Sequence, residues 1–200
     1  MLQYNCNIRC ISDLEASYTM QQNAKDYYKQ VRTYRLKESL ESVWENYNNN
    51  SPTKIYTGSK FSFGLMLSKT KSNNSIMYNS DAFSKIEQGQ VLYLKLDFLK
   101  GIYSMAVAFE ITAIDSIKHT IEFSYVKGGC KASGKQTLQF EKCKNGETKI
   151  THTSLYKSKS TMRDMILYPF FHAKITNAFH RKLKNIIAKS AFVKSQPLAG

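Results

Sequence analysis

Two neighbouring stretches, GKQTLQFEKCKNGETKITHTSLYKS (134–158) and YPFFHAKITNAFHRKLKNIIAK (168–189), decide the fold. The first contains two alternating runs that meet at Asn145-Gly146. Asn and Gly tolerate positive φ at both central positions of a type I′ turn, whose twist matches that of paired strands. A two-residue loop there sets Phe140 opposite Thr151 and Leu138 opposite Thr153. That register puts Leu138, Phe140, Thr151, Thr153 and Leu155 on one face, and Gln139, Glu141, Ile150 and His152 on the other. His152 is therefore expected to face solvent, and a slip of one residue would invert the assignment.

The second stretch reads as the main part of a helix starting near Ser160 and ending at about Lys189. Phe171, Ile175, Phe179, Leu183, Ile186 and Ile187 recur at helical spacing as one apolar stripe. Lys174, Arg181, Lys184 and Lys189 fall largely outside it, and His119 and His180 are read as surface positions. Pro169 has no N–H to bond to Met165 and its ring clashes there, so a kink or a break is expected. Beyond the proline the helix would run about 30 Å at 1.5 Å per residue, long enough to cross a sheet.

Working outward, the middle of the chain reads as strand after strand. VLYLKLDFL puts Leu92, Leu94, Leu96 and Phe98 on one face; YSMAVAFEITAI does the same for Tyr103, Met105, Val107, Phe109 and Ile111; TIEFSYV for Ile121, Phe123 and Tyr125. Short breaks between them suit an antiparallel meander. Earlier, VRTYRLK (31–37) alternates as a short strand. Ser39 can cap a helix carrying Leu40, Val43, Trp44 and Tyr47, which NNNSP then stops. Trp44 is expected to pack that helix on the sheet. Residues 53–90 are mixed: Phe61, Phe63, Leu65 and Leu67 alternate as a strand, KTKSNNS is a loop, and 80–88 reads as a helical turn or a lip over a cavity. Ser12 followed by Glu15 has capping-box spacing, so a helix from about Asp13 to Tyr28 is expected in the lead-in. The chain thus divides into a lead-in (1–30), one domain (31–190) and a tail (191–200).

Composition narrows the function classes. An apolar share of 42% supports a core, and 29 Lys plus Arg against 15 Asp plus Glu leave a net charge of +14. Such a charge favours polyanions: nucleic acid, acidic lipid headgroups or acidic proteins. No apolar run approaches the ~18 residues of a membrane span. MLQYNCNIRCISDLEASY has no apolar core behind basic residues, so a soluble, cytoplasmic chain is expected. Cys6, Cys10, Cys130 and Cys143 lack zinc-ligand spacing and are read as free thiols, with Cys130 in KGGCKASG the most open to oxidation. There is no Gly-rich phosphate loop, RNA-motif aromatic signature, G-x-S-x-G or Cys/His nucleophile set. Asp97, Glu110 and Glu122 have no visible partner for metal or covalent catalysis, and neither a metal nor a cofactor is expected.

A strand leading into a helix (TYRLKESLESVWENYNN, 33–49) is followed in order by GQVLYLKLDF (89–98), FEITAIDSIKHTIEFSYVKG (109–128), GKQTLQFEKCKNGETKITHT (134–153) and YPFFHAKITNAFHRKLKNII (168–187). This order, over roughly residues 31–190, resembles the START-like superfamily, also called SRPBCC. Its members include the birch-pollen allergen, polyketide cyclases and lipid-transfer domains. Two departures stand out: the 30-residue lead-in, and a 53–90 region without the family's usual loop pattern. The resemblance implies an α+β helix-grip fold, a curved antiparallel sheet around a long C-terminal helix. It also implies a cavity between the two for a hydrophobic ligand.

On that expectation Tyr103, Met105, Phe109 and Tyr125 line the cavity from the sheet, and Ile175, Phe179 and His172 line it from the helix. Aromatic and Met walls suit flat or greasy ligands, and His172 could bond a ligand carbonyl. The expected function is non-enzymatic binding or carrying of a hydrophobic small molecule or lipid. Two alternatives stand beside it. One is a cyclase- or dehydratase-type enzyme with His172 as acid/base. The other is a module contacting polyanions or an anionic membrane through Lys174, Arg181, Lys184 and Lys189.

Overall fold

The computed structural model describes residues 14–19, 21–58, 60–69, 74–78, 81–98, 103–127 and 132–195. Among them one antiparallel sheet is built from β1 (Tyr28–Leu36), β2 (Phe61–Lys69), β3 (Asn74–Met77), β4 (Gln90–Phe98), β5 (Tyr103–Asp115), β6 (Thr120–Tyr125), β7 (Ala132–Lys142) and β8 (Thr148–Ser158). The strand order is β1-β8-β7-β6-β5-β4-β2-β3, so the first strand closes beside the last. Two short helices, α1 (Leu40–Asn49) and α2 (Pro52–Ile55), join β1 to β2, and α3 (Tyr168–Ser195) follows β8. This is the expected helix-grip architecture.

Local chemistry accounts for the helices. The Ser39 side chain accepts the Ser42 N–H and caps α1. Pro52 opens α2 at a position where its missing N–H costs nothing. The last helix starts where expected, with Ser160 Oγ accepting the Arg163 N–H, but it is not uniform. Residues Arg163–Leu167 form a π-turn, closed by the Tyr168 N–H on the Arg163 carbonyl, and Pro169 sits just inside α3. The break anticipated at the proline is met by widening the turn before it, so the helix continues beyond. It runs to Ser195, past the expected end at Lys189.

The sheet's concave face carries the core. Leu92, Ile111, Ile121, Leu138, Phe140 and Ile150 pack with Val43 and Tyr47 of α1 and with Leu183, Ile186 and Ile187 of α3. Trp44 meets Phe140 and His119 edge-on, at 5.4 and 5.2 Å, and so docks α1 on the sheet as expected.

Three expectations are corrected. The lead-in is not helical over the described part of 13–28. Among the described residues before β1 the one regular element is a 3₁₀ turn, Ala24–Asp26, and β1 has already begun at Tyr28. Residues 14–17 instead run along the convex face: Ala16 bridges Val126, and Leu14 is buried with Leu67, Val91, Ala108 and Val126. Backbone bonding to the end of β6, beyond its last pair with β7, and burial of one Leu outcompete a helix with a weak apolar stripe. Second, Phe61, Phe63, Leu65 and Leu67 do not share a face. A bulge between Phe63 and Leu65 shifts the β2–β4 register, and it falls at Gly64, where a Cβ would meet the Tyr93 carbonyl at 3.0 Å. Phe61, Phe63 and Met66 therefore face the helix, while Leu65 and Leu67 join the convex cluster.

Third, the β7–β8 register is one residue away from the expected one: Phe140 pairs with Ile150 and Leu138 with His152. The Gly146 N–H bonds to Cys143 O, the Cys143 N–H bonds to Glu147 O, and Gly146 has φ 80°. That is a three-residue loop, a type I turn followed by a left-handed Gly, in place of a two-residue type I′ turn. The slip inverts β8: Ile150, His152, Ser154 and Tyr156 point inward and are buried.

Cys143 is a free thiol; Cys6, Cys10 and Cys130 lie outside the described residues. No described helix is long and apolar enough to cross a membrane.

Candidate functional site

Between the sheet's concave face and α3 lies a cavity of about 450 Å³. Its walls are mostly apolar. Leu94, Leu96, Met105, Val107 and Phe109 rise from β4 and β5, and Phe171, Ile175 and Phe179 descend from α3. Alternation puts every second strand residue on this face. Met105, Phe109, Tyr125, His172, Ile175 and Phe179 all border the cavity. Tyr103 lies on β5 opposite Phe98, but its side chain is outside the described residues.

One wall is polar, and most of it escaped the sequence reading. His152, expected to face solvent, is 5% exposed and borders the cavity. His180, expected at the surface, is 3% exposed. With them stand Gln136, Thr176 and Tyr168. The signal for His180 was present: His172, Thr176 and His180 form a row at helical spacing that runs on into Leu183 and Ile187 of the apolar stripe. The signal for His152 lay in the turn, where Lys-Asn-Gly suits a three-residue loop as well as Asn-Gly suits a two-residue one.

These groups form a continuous chain of hydrogen bonds. Tyr47 Oη lies 2.7 Å from His180 Nδ1, and His180 Nε2 lies 3.0 Å from His152 Nδ1. His152 Nε2 is 2.8 Å from Gln136 Oε1, and Gln136 Nε2 is 3.2 Å from Tyr125 Oη, which pairs with Tyr168 Oη. His172 is held separately, with Nδ1 2.7 Å from Gln30 Oε1 and Nε2 3.2 Å from Ser154 Oγ. The Gln30 amide in turn donates to the Pro169 carbonyl, fastening β1 to the start of α3. Tyr168 stacks between Tyr156 and His172, at 3.7 and 5.0 Å.

Burial dominates the electrostatics. It pushes His152 down to about 3, aided by the positive charge of Arg32. It does the same to His172, with His152 and Arg32 adding to the effect, again to about 3. His180 is driven well below the ordinary value by burial and by its two histidine neighbours. Burial also raises Tyr47 well above its usual range, so its hydroxyl stays protonated. The three histidines are therefore neutral near pH 7, while Arg163 adds a positive charge to the cavity lining. No group of His, Cys, Asp and Glu able to hold a metal occurs among the described residues.

The rim has a different character. At the π-turn, Met162, Met165, Ile166 and Phe170 are each more than half exposed, and the adjoining Leu167 borders the cavity. Lys174, Arg181, Lys184 and Lys189 are exposed along the same helix, and Lys174 lies over the Phe170 ring at 3.9 Å.

No protein-family model matches the chain, and no curated protein matches it. Solved structures do. Norcoclaurine synthase from Thalictrum flavum, in complex with dopamine and hydroxybenzaldehyde, superposes with a TM-score of 0.56 at 11% identity, over 86% of this chain and 95% of that one. A point mutant of the same enzyme with a transition-state analogue gives 0.58 at 11% identity, over 82% and 98%. The major latex-like protein 151 from Panax ginseng gives 0.55 at 13%, over 80% and 96%. Likeness at such identity speaks to the fold alone, and with the sheet order and the gripped C-terminal helix it identifies this chain's fold as a helix-grip fold.

Proposed function

We propose that the chain binds a hydrophobic small molecule or lipid in the cavity between sheet and α3 and carries it without chemical change. The observation that carries this reading is the cavity: about 450 Å³, apolar over most of its wall, with a cluster of polar groups on one side. That size and lining fit the usual range for small-molecule sites, roughly 300–1,000 Å³. Met105, Phe109, Tyr125, Ile175, Phe179 and His172 are the proposed contacts. The complex of norcoclaurine synthase with dopamine and hydroxybenzaldehyde supports, by analogy of fold, a small molecule as the occupant.

Binding fits the site better than acid/base catalysis. A general acid or base works best with a pKa near the working pH. His172, at about 3, is far from it, and both its ring nitrogens are already hydrogen-bonded. Titration with an apolar fluorescent probe such as 1-aminoanthracene tests the reading. The wild type should take up one probe per chain, and a cavity-filled Ile175→Trp/Leu94→Phe variant of unchanged thermal midpoint should not. Equal uptake by both proteins, or none by either, would overturn it.

A second reading rests on the rim. We infer that exposed Met162, Met165, Ile166 and Phe170, beside Lys174 and on the helix that also exposes Arg181, contact an anionic membrane surface and bring the cavity mouth to the lipid. Apolar insertion combined with basic attraction is the usual pairing for interfacial binding. Co-sedimentation with vesicles containing phosphatidylserine should be strong at low salt and weaker at physiological salt. Binding that ignores salt, or that survives Ile166→Ser/Phe170→Ser, contradicts it.

A further inference from the structure

Arg32 carries a charge that the described residues do not neutralise. It sits on β1, half-buried, opposite His152 of β8, and reaches across the seam to Asn177 of α3. No described carboxylate forms an ion pair with it. Its Nη1 donates a long bond, 3.4 Å, to Asn177 Oδ1, and its Nε is buried with no acceptor among the described residues. Burial first, and then this charge, keep the neighbouring His152 ring neutral, so the histidine offers the guanidinium no compensation. A partly buried cation held by so little is costly unless something else completes its bonding.

The same contacts orient Asn177. Arginine only donates, so the Asn177 atom that faces it is the carbonyl oxygen, and the amide N–H₂ is turned the other way. Tyr34 Oη, 2.9 Å from that oxygen, donates to it as well and fixes the amide without taking its N–H₂. Asn177 is exposed, and its N–H₂ has no partner among the described residues. Arg181 follows Asn177 at the i+4 spacing that puts two side chains on one helix face. It is exposed and pairs with no described carboxylate.

We propose that the β1–α3 seam at Arg32, Asn177 and Arg181 is an oxyanion site whose ligand is a phosphate group, carried by the free anion or by a lipid headgroup. A planar guanidinium matches phosphate oxygens in pairs, and such charge-assisted bonds are roughly twice as strong as neutral ones. A pair of arginines suits a dianion better than a single carboxylate, and the fixed Asn177 N–H₂ adds a neutral donor beside them. Tyr34 is a positioning residue here. The site is separate from the cavity, whose lining includes neither Arg32, Asn177 nor Arg181, and it does not depend on a ligand there.

Two probes distinguish the sources: inorganic phosphate, and dihexanoyl phosphatidic acid below its micelle concentration, both at constant ionic strength. Calorimetry gives affinities for the full chain as wild type, Arg32→Gln, Asn177→Asp and Lys85→Gln, and near-UV circular dichroism confirms each fold. The side-chain N–H₂ signals of Asn177 in the nitrogen-labelled wild type report where the probe sits. Asn177→Asp keeps an acceptor for Tyr34 and Arg32 and replaces the donor with a carboxylate that neutralises Arg32. It lies at an exposed position, so it serves should Arg32→Gln not fold. Lys85→Gln removes the same single charge from an exposed position outside the seam. The wild type should bind saturably, with the Asn177 signals moving as the site fills. Affinity should fall about tenfold or more in Arg32→Gln and Asn177→Asp, and stay level in Lys85→Gln. Tighter binding of phosphatidic acid than of inorganic phosphate assigns the site to a lipid headgroup, and equal or weaker binding assigns it to the free anion. Asn177 signals that neither probe moves, or an affinity unchanged in Arg32→Gln or Asn177→Asp, would overturn the site.

Discussion

Acid should unfold this protein earlier than its small number of histidines suggests. His152 and His172 are held at about 3 in the folded chain, against 6.5 for an ordinary histidine. Burial is the first cause in both. Arg32 adds to it at His152, and His152 and then Arg32 add to it at His172. His180 is displaced in the same direction. The sign follows from which state takes up protons. Below pH 6.5 the unfolded chain protonates these rings, while the folded chain keeps them neutral until about 3. Stability is therefore level above 6.5 and falls as the pH drops from 6.5 towards 3. Each excess proton on the unfolded side costs about 1.4 kcal/mol per pH unit. At two units below 6.5 each ring contributes a loss of roughly 3 kcal/mol, and His152 and His172 together roughly 5 to 6. That approaches the whole stability of an ordinary domain, about 5–15 kcal/mol. Urea denaturation at pH steps of about one unit between about 7.5 and 4.5 measures the loss. The slope below 6.5 should correspond to two to three protons taken up on unfolding. A stability that stays flat between about pH 7 and pH 5, or a slope of less than one proton, would refute the neutral histidine wall.

Other substitutions test the scaffold. Gly134→Ala should destabilise by at least about 3 kcal/mol in chemical denaturation, because Gly134 has φ 135° and an added Cβ would overlap the Leu155 carbonyl. Ser39→Ala should cost about 1 kcal/mol by removing the cap of α1, with no change in probe affinity. Leu183→Ala, at a fully buried position between α3 and the sheet, should cost about 2–5 kcal/mol, and hydrogen exchange along α3 should speed up accordingly.

The strands from β4 to β6 were legible because alternation is a local property, and Leu92, Leu94, Met105, Phe109 and Tyr125 face inward as their spacing says. The same holds for α1, with its Ser39 cap, and for the apolar stripe of α3. What failed was phase. A single residue of loop at Cys143–Glu147 decides which face of β8 is inside, and a single bulge at Gly64 does the same for β2. Neither is fixed by the pattern of the strand it controls. The histidine wall was hidden for that reason: one slip brings His152 from solvent to His180, and the polar row His172, Thr176 and His180 then reads as the continuation of a buried face.

The most direct test of the account is to see where a ligand sits. Isotope-filtered NMR of the uniformly labelled protein with unlabelled 2-acetylnaphthalene should give contacts from the naphthalene protons to the methyl groups of Leu94, Val107 and Ile175, which line the cavity from opposite sides. Contacts confined to the exposed side chains of the rim, or saturable binding with no contact to those three methyl-bearing residues, would contradict it.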